Sequence, residues 1–250
     1  MSEPTGHRVV LLPGSLCDER LFTHQLAALS DAGHDVSVAE LRPHISIESM
    51  AAHVAEAVDD PFVAIGLSLG GIVAAELIAQ CPDRLLGVGL LNTNLAAPTT
   101  LQIEQRRQWE ATVRTGKLWQ LVVQDLIPVL SADPERHGQL IFAMAETASS
   151  AGFISENQAL LHRHDRRPLL ETFDRPVLAL CGEEDTVCPP VLHREFAERA
   201  SHSRLEIVAD AGHLSTIDQP AAVSDLLIDW LNQISHENHF QEGNHAYDHA

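Results

Sequence analysis

The sequence predicts an α/β fold in which a mostly parallel, doubly wound sheet of about six strands is covered by helices on both faces. Two observations carry this prediction. Six short runs rich in Val, Leu and Ile recur along the 250 residues, and most are followed by a segment whose apolar residues return at helical spacing. The runs are apolar throughout rather than alternating, which is typical of parallel strands buried on both faces.

The predicted elements alternate regularly in the first third of the chain and again near its end. In order they are strand Val9–Leu12, helix Glu19–Leu29, strand Val36–Ala39, helix Ile47–Val58, strand Val63–Ile65, helix Leu69–Leu77, strand Leu86–Leu91, strand Val177–Leu180, helix Pro190–Ala200, strand Leu205–Val208 and helix Ala221–Ile234. Strand following helix in this way requires crossover connections, which make the strands parallel.

Local signals support the individual elements. The turn Pro13-Gly14 closes the first strand, and Ser46 is a suitable N-cap for the second helix. One face of each early helix is apolar, as the spacing shows for the three sets Leu21, Phe22, Leu26 and Leu29; Met50, Val54 and Val58; and Ile72, Val73 and Leu77.

The segment 92–168 interrupts the alternation, because it contains no comparable strand and its pattern is that of several helices. We therefore expect a single core formed by residues 1–96 and 169–235. Residues 97–168 are predicted to form a helical cap inserted after the fourth strand. The polar residues 236–250 are predicted to be a disordered tail.

Charge and composition exclude several kinds of partner. The formal net charge is −19, and only 16 Lys and Arg residues are spread along the chain, so we expect no nucleic-acid binding and no attraction to an anionic membrane. No apolar run reaches the roughly 18 residues of a membrane span, and the first residues lack the pattern of a signal peptide. The expectation is a soluble cytoplasmic protein, with its oligomeric state left open.

The cysteines and the histidines of the tail do not predict a metal site. The four cysteines have neither zinc-ligand nor disulfide-framework spacing, so free thiols are expected at Cys17, Cys81, Cys181 and Cys188. Four histidines in the tail lack a rigid scaffold: His236, His239, His245 and His249. We expect no metal.

The segment Gly66-Leu67-Ser68-Leu69-Gly70 lies where the third strand turns into its helix. A tight corner of this kind holds Ser68 in a strained conformation and brings Gly66 close to Gly70, where a Cβ atom would collide. The strain directs the serine hydroxyl outward. The G-x-S-x-G pattern alone is weak, but its position between strand and helix indicates a nucleophile.

Two further reactive side chains follow predicted strands. In parallel sheets ligands bind at the carboxyl ends of the strands, and Asp185 and His213 follow the fifth and sixth strands as Ser68 follows the third. A serine hydroxyl needs an imidazole to accept its proton, and the imidazole needs a carboxylate on its other nitrogen. We predict these roles for His213 and Asp185.

A developing oxyanion needs hydrogen-bond donors. The N–H of Leu69 begins the helix after Ser68, and the N–H of Ser15 belongs to the glycine turn after the first strand. We expect these two groups to form the oxyanion hole.

Some assignments have competitors in the sequence. Asp185 competes with Glu183, Glu184 and Asp210, and the turn that starts at Gly182 favours Asp185. A basic run at the end of the insertion could receive a substrate carboxylate, but such runs are usually solvated surface, and we favour that interpretation for His162, Arg163, His164, Arg166 and Arg167.

Together these motifs resemble the α/β-hydrolase family from about Arg8 to Gln233. The residues that carry the resemblance are the serine corner, the Pro13-Gly14 turn where the family often has His-Gly, the Gly-x-x-Asp at 182–185, and Gly212-His213. The order Ser, Asp, His is that of the family, and the insertion resembles its cap. The chain departs from the family at Pro13 and after the second strand. It also starts at what corresponds to the family's third strand, so we expect a smaller sheet.

The resemblance implies a cofactor-independent serine hydrolase that acts on a small carboxylic ester, lactone or thioester. An acyltransferase and a ligand-sensing receptor with slow turnover remain as alternatives, because both could use the same residues. Serine at position 68 argues against epoxide opening and halide displacement, which use an aspartate in related folds.

The cap is expected to close a largely apolar acyl pocket that favours short to medium acyl groups. The large side chains of the insertion either form its own core or line this pocket. Together with three residues from the loops below, the candidate pocket residues are Leu16, Trp109, Trp119, Phe142, Met144, Phe153, Val187 and Leu214.

Overall fold

The computed structural model describes residues 6–245 of the chain, and the side chains of residues 6–235. Its centre is a six-stranded sheet in the order β2-β1-β3-β4-β5-β6, in which every neighbouring pair is parallel. This confirms the predicted fold class. The strands are β1 (Arg8–Leu12), β2 (Asp35–Val38), β3 (Phe62–Leu67), β4 (Leu85–Leu91), β5 (Val177–Gly182) and β6 (Ser203–Val208).

Helices connect the strands and fill both faces of the sheet. The α-helices are α1 (Thr23–Asp31), α2 (Ile47–Ala57), α3 (Leu69–Gln80), α4 (Thr100–Arg114), α5 (Leu118–Leu121), α6 (Ile127–Leu130), α7 (Pro134–Leu161), α8 (Pro190–Arg199), α9 (Ser215–Asp218) and α10 (Pro220–His245). Short 3-10 turns precede α1, β4 and β5, and a π-helical turn, Val122–Leu126, joins α5 to α6. As expected, the Ser46 hydroxyl caps α2.

Two elements differ from the sequence-based prediction. The short helix α9 was not expected, because its four residues are too few for a periodic pattern. Where the sequence predicts a disordered tail from residue 236, α10 continues as helix to His245, and residues 246–250 lie outside the described part of the chain. The side chains of the tail histidines also lie outside the described residues.

The alternation of side chains along each strand produces two apolar layers. Val10 and Leu12 of β1 pack with α2, α3 and α8 on one face, whereas Val9 and Leu11 pack with α1 and α10 on the other. Trp230 of α10 is fully buried in the second layer. Because both faces are covered, the inner strands β3, β4 and β5 are almost entirely apolar, whereas the edge strands β2 and β6 alternate polar and apolar side chains.

The insertion forms a third apolar cluster beside the sheet. The chain leaves the sheet after β4 and re-enters at β5, and between them α4, α5 and α7 pack on each other. Leu16, from the loop after β1, is buried in this cluster, so the insertion packs on a loop at the carboxyl edge of the sheet.

No helix in the described part of the chain combines the length and the apolar character of a membrane span. All four cysteines are free thiols, as the sequence predicts.

Candidate active site

Ser68 occupies the corner between β3 and α3. Its backbone has a φ of 55° and a ψ of −111°, a conformation that side chains rarely adopt. A Cβ at Gly66 would collide with the carbonyl of Gly70, and a Cβ at Gly70 would collide with the carbonyl of Leu12. Only glycine therefore allows the corner to form where β1 and β3 lie side by side.

This corner lies at the point where the strand order reverses. β1 pairs with β2 on one side and with β3 on the other, so the loops after β1 and β3 diverge and leave a crevice between them. Ligands of open α/β sheets bind at such a switch point. Gly14 and Ser15 follow β1, and Ser68 follows β3.

The three residues predicted for nucleophilic catalysis lie within hydrogen-bond distance of one another. The Ser68 Oγ is 2.9 Å from Nε2 of His213. The Nδ1 of His213 is 2.9 and 3.1 Å from the two carboxylate oxygens of Asp185. Both His213 and Asp185 are buried, which shields their interaction from water.

Asp185 is held by its own loop as well as by His213. Its Oδ1 accepts hydrogen bonds from the backbone N–H groups of Val187 and Cys188, at 2.9 and 2.8 Å. Burial by itself would raise the pKa of Asp185, but the hydrogen bonds and the nearby imidazole outweigh it, so the pKa lies below its ordinary value. The carboxylate is therefore ionised at neutral pH. Its three acidic competitors, Glu183, Glu184 and Asp210, are exposed.

The loop after β4 supplies two polar residues that the sequence analysis missed. Asn92 donates from Nδ2 to Asp185 at 2.9 Å and to the Gly212 carbonyl at 3.1 Å, and its Oδ1 accepts from Ser215 at 2.6 Å. It therefore ties the carboxylate loop to the histidine loop. Its position directly after a strand was the signal that could have identified it.

Thr93, the next residue, supports the serine corner. Its hydroxyl donates to the Ser68 carbonyl at 2.7 Å, and its N–H donates to Nε2 of the buried His193 at 3.1 Å. Burial lowers the pKa of His193 to about 4, so this imidazole is neutral and can accept the hydrogen bond.

The two N–H groups predicted to form an oxyanion hole are available in the described part of the chain. No hydrogen bond there occupies the N–H of Ser15 or of Leu69. The next N–H along the loop, that of Leu16, is used differently, since it donates to Glu156 of α7 at 2.8 Å. Leu16 has a φ of 60°, so the loop turns sharply here, directly after Ser15.

Glu156 is a buried carboxylate that the sequence analysis did not single out. One of its oxygens accepts hydrogen bonds from the Ser15 hydroxyl at 2.7 Å and from the Leu16 N–H, and the other lies 3.2 Å from Nη1 of Arg42. Burial raises the pKa of Glu156, although these three contacts act in the opposite direction. Glu156 thus anchors the loop after β1 to the insertion.

A cavity of about 130 Å³ lies over Ser68 and His213. Five of the predicted pocket residues line it: Leu16, Trp109, Phe153, Val187 and Leu214. The walls are otherwise mainly apolar, with Val122, Leu126, Val129, Leu130, Ile141 and Ala145 from the insertion. Arg106 also lines the cavity and is its one cationic residue within the described chain.

Three predicted pocket residues lie elsewhere. Trp119 packs on Phe142 with ring centroids 5.1 Å apart, and Trp119 remains 39% exposed on the outside of the insertion. Met144 is completely buried among residues of the sheet layer. Size and apolar character did not distinguish core from pocket wall, because both environments favour the same side chains.

The basic run at the end of the insertion does not reach the cavity. Arg163 is buried and donates to the carbonyls of Ala96 and Leu160, so it is not the solvated residue that we expected. Arg166 and Arg167 form ion pairs with carboxylates of the core.

A parallel sheet with a serine corner at its switch point, and an imidazole and a carboxylate on later strand ends, is the architecture of the α/β hydrolases. The comparison with known families agrees. Residues 9–226 match the alpha/beta hydrolase family, and the chain belongs to this family.

Several characterised proteins are similar over most of their length. A pimeloyl-[acyl-carrier protein] methyl ester esterase of Neisseria meningitidis is 27% identical over 247 residues, which cover 92% of this chain and 78% of that protein. A thermophilic esterase from Thermogutta terrifontis superposes with a TM-score of 0.83 at 25% identity, covering 92% of this chain and 91% of the other. The enol-lactonase of Burkholderia xenovorans LB400 has the same fold, with a TM-score of 0.80 at 24% identity and coverage of 91% and 92%.

Proposed function

We propose that the protein is a serine hydrolase that cleaves a small carboxylic ester through an acyl-enzyme on Ser68. The observation that carries the proposal is the hydrogen-bonded series from the Ser68 hydroxyl through His213 to Asp185. Its position under a mainly apolar cavity supports an uncharged reacting group such as an ester.

The first half-reaction forms the acyl-enzyme. The Ser68 Oγ attacks the ester carbonyl carbon while its proton passes to Nε2 of His213. The negative charge on the carbonyl oxygen is met by the N–H groups of Ser15 and Leu69. When the tetrahedral intermediate collapses, the bond to the alcohol oxygen breaks, and His213 gives its proton to the leaving alcohol.

The second half-reaction releases the acid. Water attacks the acyl carbon and transfers a proton to His213, and the same two N–H groups stabilise the second intermediate. Its collapse breaks the bond to Ser68, and the proton returns to the serine oxygen. Asp185 holds the imidazole in the tautomer that both steps need.

The relatives support an ester as the class of substrate. Two of the similar proteins are described as esterases and one as a lactonase, so the three together favour carboxylic ester chemistry without selecting a substrate. In this proposal residues 97–168 act as the cap that closes the acyl pocket. A volume of about 130 Å³ accommodates a small acyl group, since a cavity of about 150 Å³ holds benzene.

The test is the loss of turnover in Ser68→Ala, measured on a panel of short-chain esters, lactones and thioesters. We expect kcat/KM to fall by a factor approaching about 10⁶, as when a triad nucleophile is removed. A fluorophosphonate should label Ser68 in the wild-type protein and nothing in the variant. Ser30→Ala, which removes an exposed hydroxyl from α1, is the matched control and should keep full activity.

Four outcomes would overturn or redirect the proposal. Labelling at another residue, or unchanged activity in Ser68→Ala, would overturn the assignment of the nucleophile. Release of one equivalent of alcohol without further turnover would favour a receptor, and acyl transfer to an added alcohol in preference to water would favour a transferase.

A further inference from the structure

Arg106 is the unexpected feature of the cavity wall. It projects from α4 in the insertion and lines the same cavity as Ser68 and His213. Its guanidinium makes one hydrogen bond within the described residues, from Nη1 to Oδ1 of Asn157 at 3.3 Å. A guanidinium carries five N–H donors, so four of them have no protein partner in the part of the chain that the structure describes.

Arg106 has no ion-pair partner among the described residues, although this chain is rich in carboxylates. With 35 acidic and 16 basic residues, carboxylates are abundant, and most of the arginines pair with one. Within the described residues no carboxylate lies within ion-pair distance of Arg106. The buried Arg163 differs, because two backbone carbonyls accept its hydrogen bonds.

The surroundings fix the position of Arg106 without neutralising it. Asn157, itself buried, donates from Nδ2 to the Arg106 carbonyl and to Glu110, at 3.2 and 3.0 Å. The buried carboxylate of Glu156 acts on Arg106 only through its charge and is already bound, since it holds Ser15, Leu16 and Arg42. Nearby Arg163 adds further positive charge.

Desolvation of this guanidinium is unfavourable in the free protein. Burial lowers the pKa of Arg106 to about 10, and the charge of Arg163 acts in the same direction. The group is still protonated at neutral pH. Arg106 is half-buried, and a partly desolvated charge without an ion-pair partner is costly. An anion that enters the cavity would relieve that cost and form charge-assisted hydrogen bonds.

We propose that Arg106 binds a carboxylate at the far end of the acyl group, so that the preferred substrates are half-esters of short dicarboxylic acids. This inference rests on the proposed function and names its substrate class. Carboxylate fits the planar fork of a guanidinium in a bidentate geometry. The other walls are apolar and suit the methylene groups that join the carboxylate to the ester.

Two methyl esters of matched size test the proposal. Monomethyl succinate ends in a carboxylate, and methyl levulinate replaces one carboxylate oxygen by a methyl group. For the wild-type protein we expect kcat/KM to be about 10- to 100-fold higher for monomethyl succinate, as is typical of hydrogen bonds between charged groups. Turnover is followed as acid release at constant pH.

Arg106→Gln should remove this preference. We expect kcat/KM for monomethyl succinate to fall by the same factor, and that for methyl levulinate to change less than about threefold. Arg107→Gln removes the same charge from the exposed neighbouring position of α4 and should change neither value. Equal kcat/KM for the two esters in the wild type, or an equal loss for both in Arg106→Gln, would overturn the proposal.

Binding to the Ser68→Ala protein separates this proposal from the catalytic one. By calorimetry, monomethyl succinate should bind at least tenfold more tightly than methyl levulinate, and the difference should vanish when Arg106→Gln is added. Equal binding of the two esters would overturn the carboxylate site. If neither ester is hydrolysed by the wild type but the binding difference is found, the proposed reaction fails and the site stands.

Discussion

The sheet edge and the insertion contribute to the same cavity by different means. At the sheet edge, non-glycine residues with positive φ follow four of the strands: Leu16 after β1, Ser68 after β3, Asn92 after β4 and Asp210 after β6. In the insertion, only Ser149 has such a conformation, at an irregularity inside α7. The conformation of the loop backbone therefore positions the reactive groups at the sheet edge. In the insertion, helices position the side chains that line the cavity.

This difference separates chemistry from selectivity. Groups held by strained loops between rigid strands keep one position, which a nucleophile and oxyanion donors require. Trp109 and Phe153 line the cavity from the insertion's own apolar cluster, so they can be exchanged without disturbing the sheet. We therefore expect substitutions at the edge to reduce the rate for every ester, and substitutions in the insertion to change which ester is preferred.

After the loss of the nucleophile in Ser68→Ala, the largest effect is expected at the edge, for Asp185→Asn. The amide favours the wrong imidazole tautomer at His213, so kcat should fall by about 10³- to 10⁴-fold while the fold is retained. Asp210→Asn, at the exposed end of β6, is the control and should stay within a few-fold of wild type. Steady-state kinetics on one short ester measure both effects. If Asp210→Asn lost more activity than Asp185→Asn, the catalytic acid would follow β6 and not β5.

The second prediction concerns the support behind the edge, at His193. Its pKa is about 4 in the folded protein and 6.5 ordinarily, so the unfolded chain binds the additional proton first as the pH falls. The free energy of unfolding should therefore lose about 3 kcal/mol between about pH 6.5 and pH 4 through this group, and none above that range.

Urea unfolding of wild type and His193→Gln at several pH values measures this contribution. The glutamine can still accept a hydrogen bond from the Thr93 N–H but does not titrate. The variant should therefore show a shallower decline towards pH 4. Parallel curves for the two proteins would contradict the assignment.

A smaller effect is expected where the two regions meet, at Glu156. We predict that Glu156→Gln lowers kcat by about 10- to 100-fold with little change in KM, because the shifted Ser15 loop weakens an oxyanion donor that acts in the transition state. Glu146→Gln, at an exposed position of the same helix, should behave as wild type. An increase in KM with constant kcat would instead indicate a role in substrate binding.

The smallest effect, and the clearest test of selectivity, compares two tryptophans of the insertion. Trp109 lines the cavity and Trp119 does not. Trp109→Ala should move the optimum of a chain-length series towards longer acyl groups, each further buried methylene contributing about 0.8 kcal/mol. Trp119→Ala should leave the optimum in place. Identical shifts in both variants would mean that the insertion affects the chain-length optimum through its stability, and not through the side chains that line the cavity.

The sequence alone determined the sheet, the serine corner and the order of the reactive residues. Buried parallel strands require uninterrupted apolar runs, and the corner at Ser68 requires Gly66 and Gly70, so these features are visible in short stretches of residues. Asp185 and His213 could be identified because topology brings the ends of parallel strands to one edge.

Only the tertiary structure decided which side chains support and surround these residues. Ser15 and Glu156 are 141 positions apart, and no local pattern indicates that they form a hydrogen bond. The pocket side chains Trp109 and Phe153 have the same apolar character as Trp119 and Met144, which lie elsewhere. In the sequence, Arg106 is indistinguishable from the other charged residues of α4. Only the packing of α4 shows that it lines the cavity. Packing of helices on one another depends on distant surfaces, and a residue's own neighbours in the chain do not encode it.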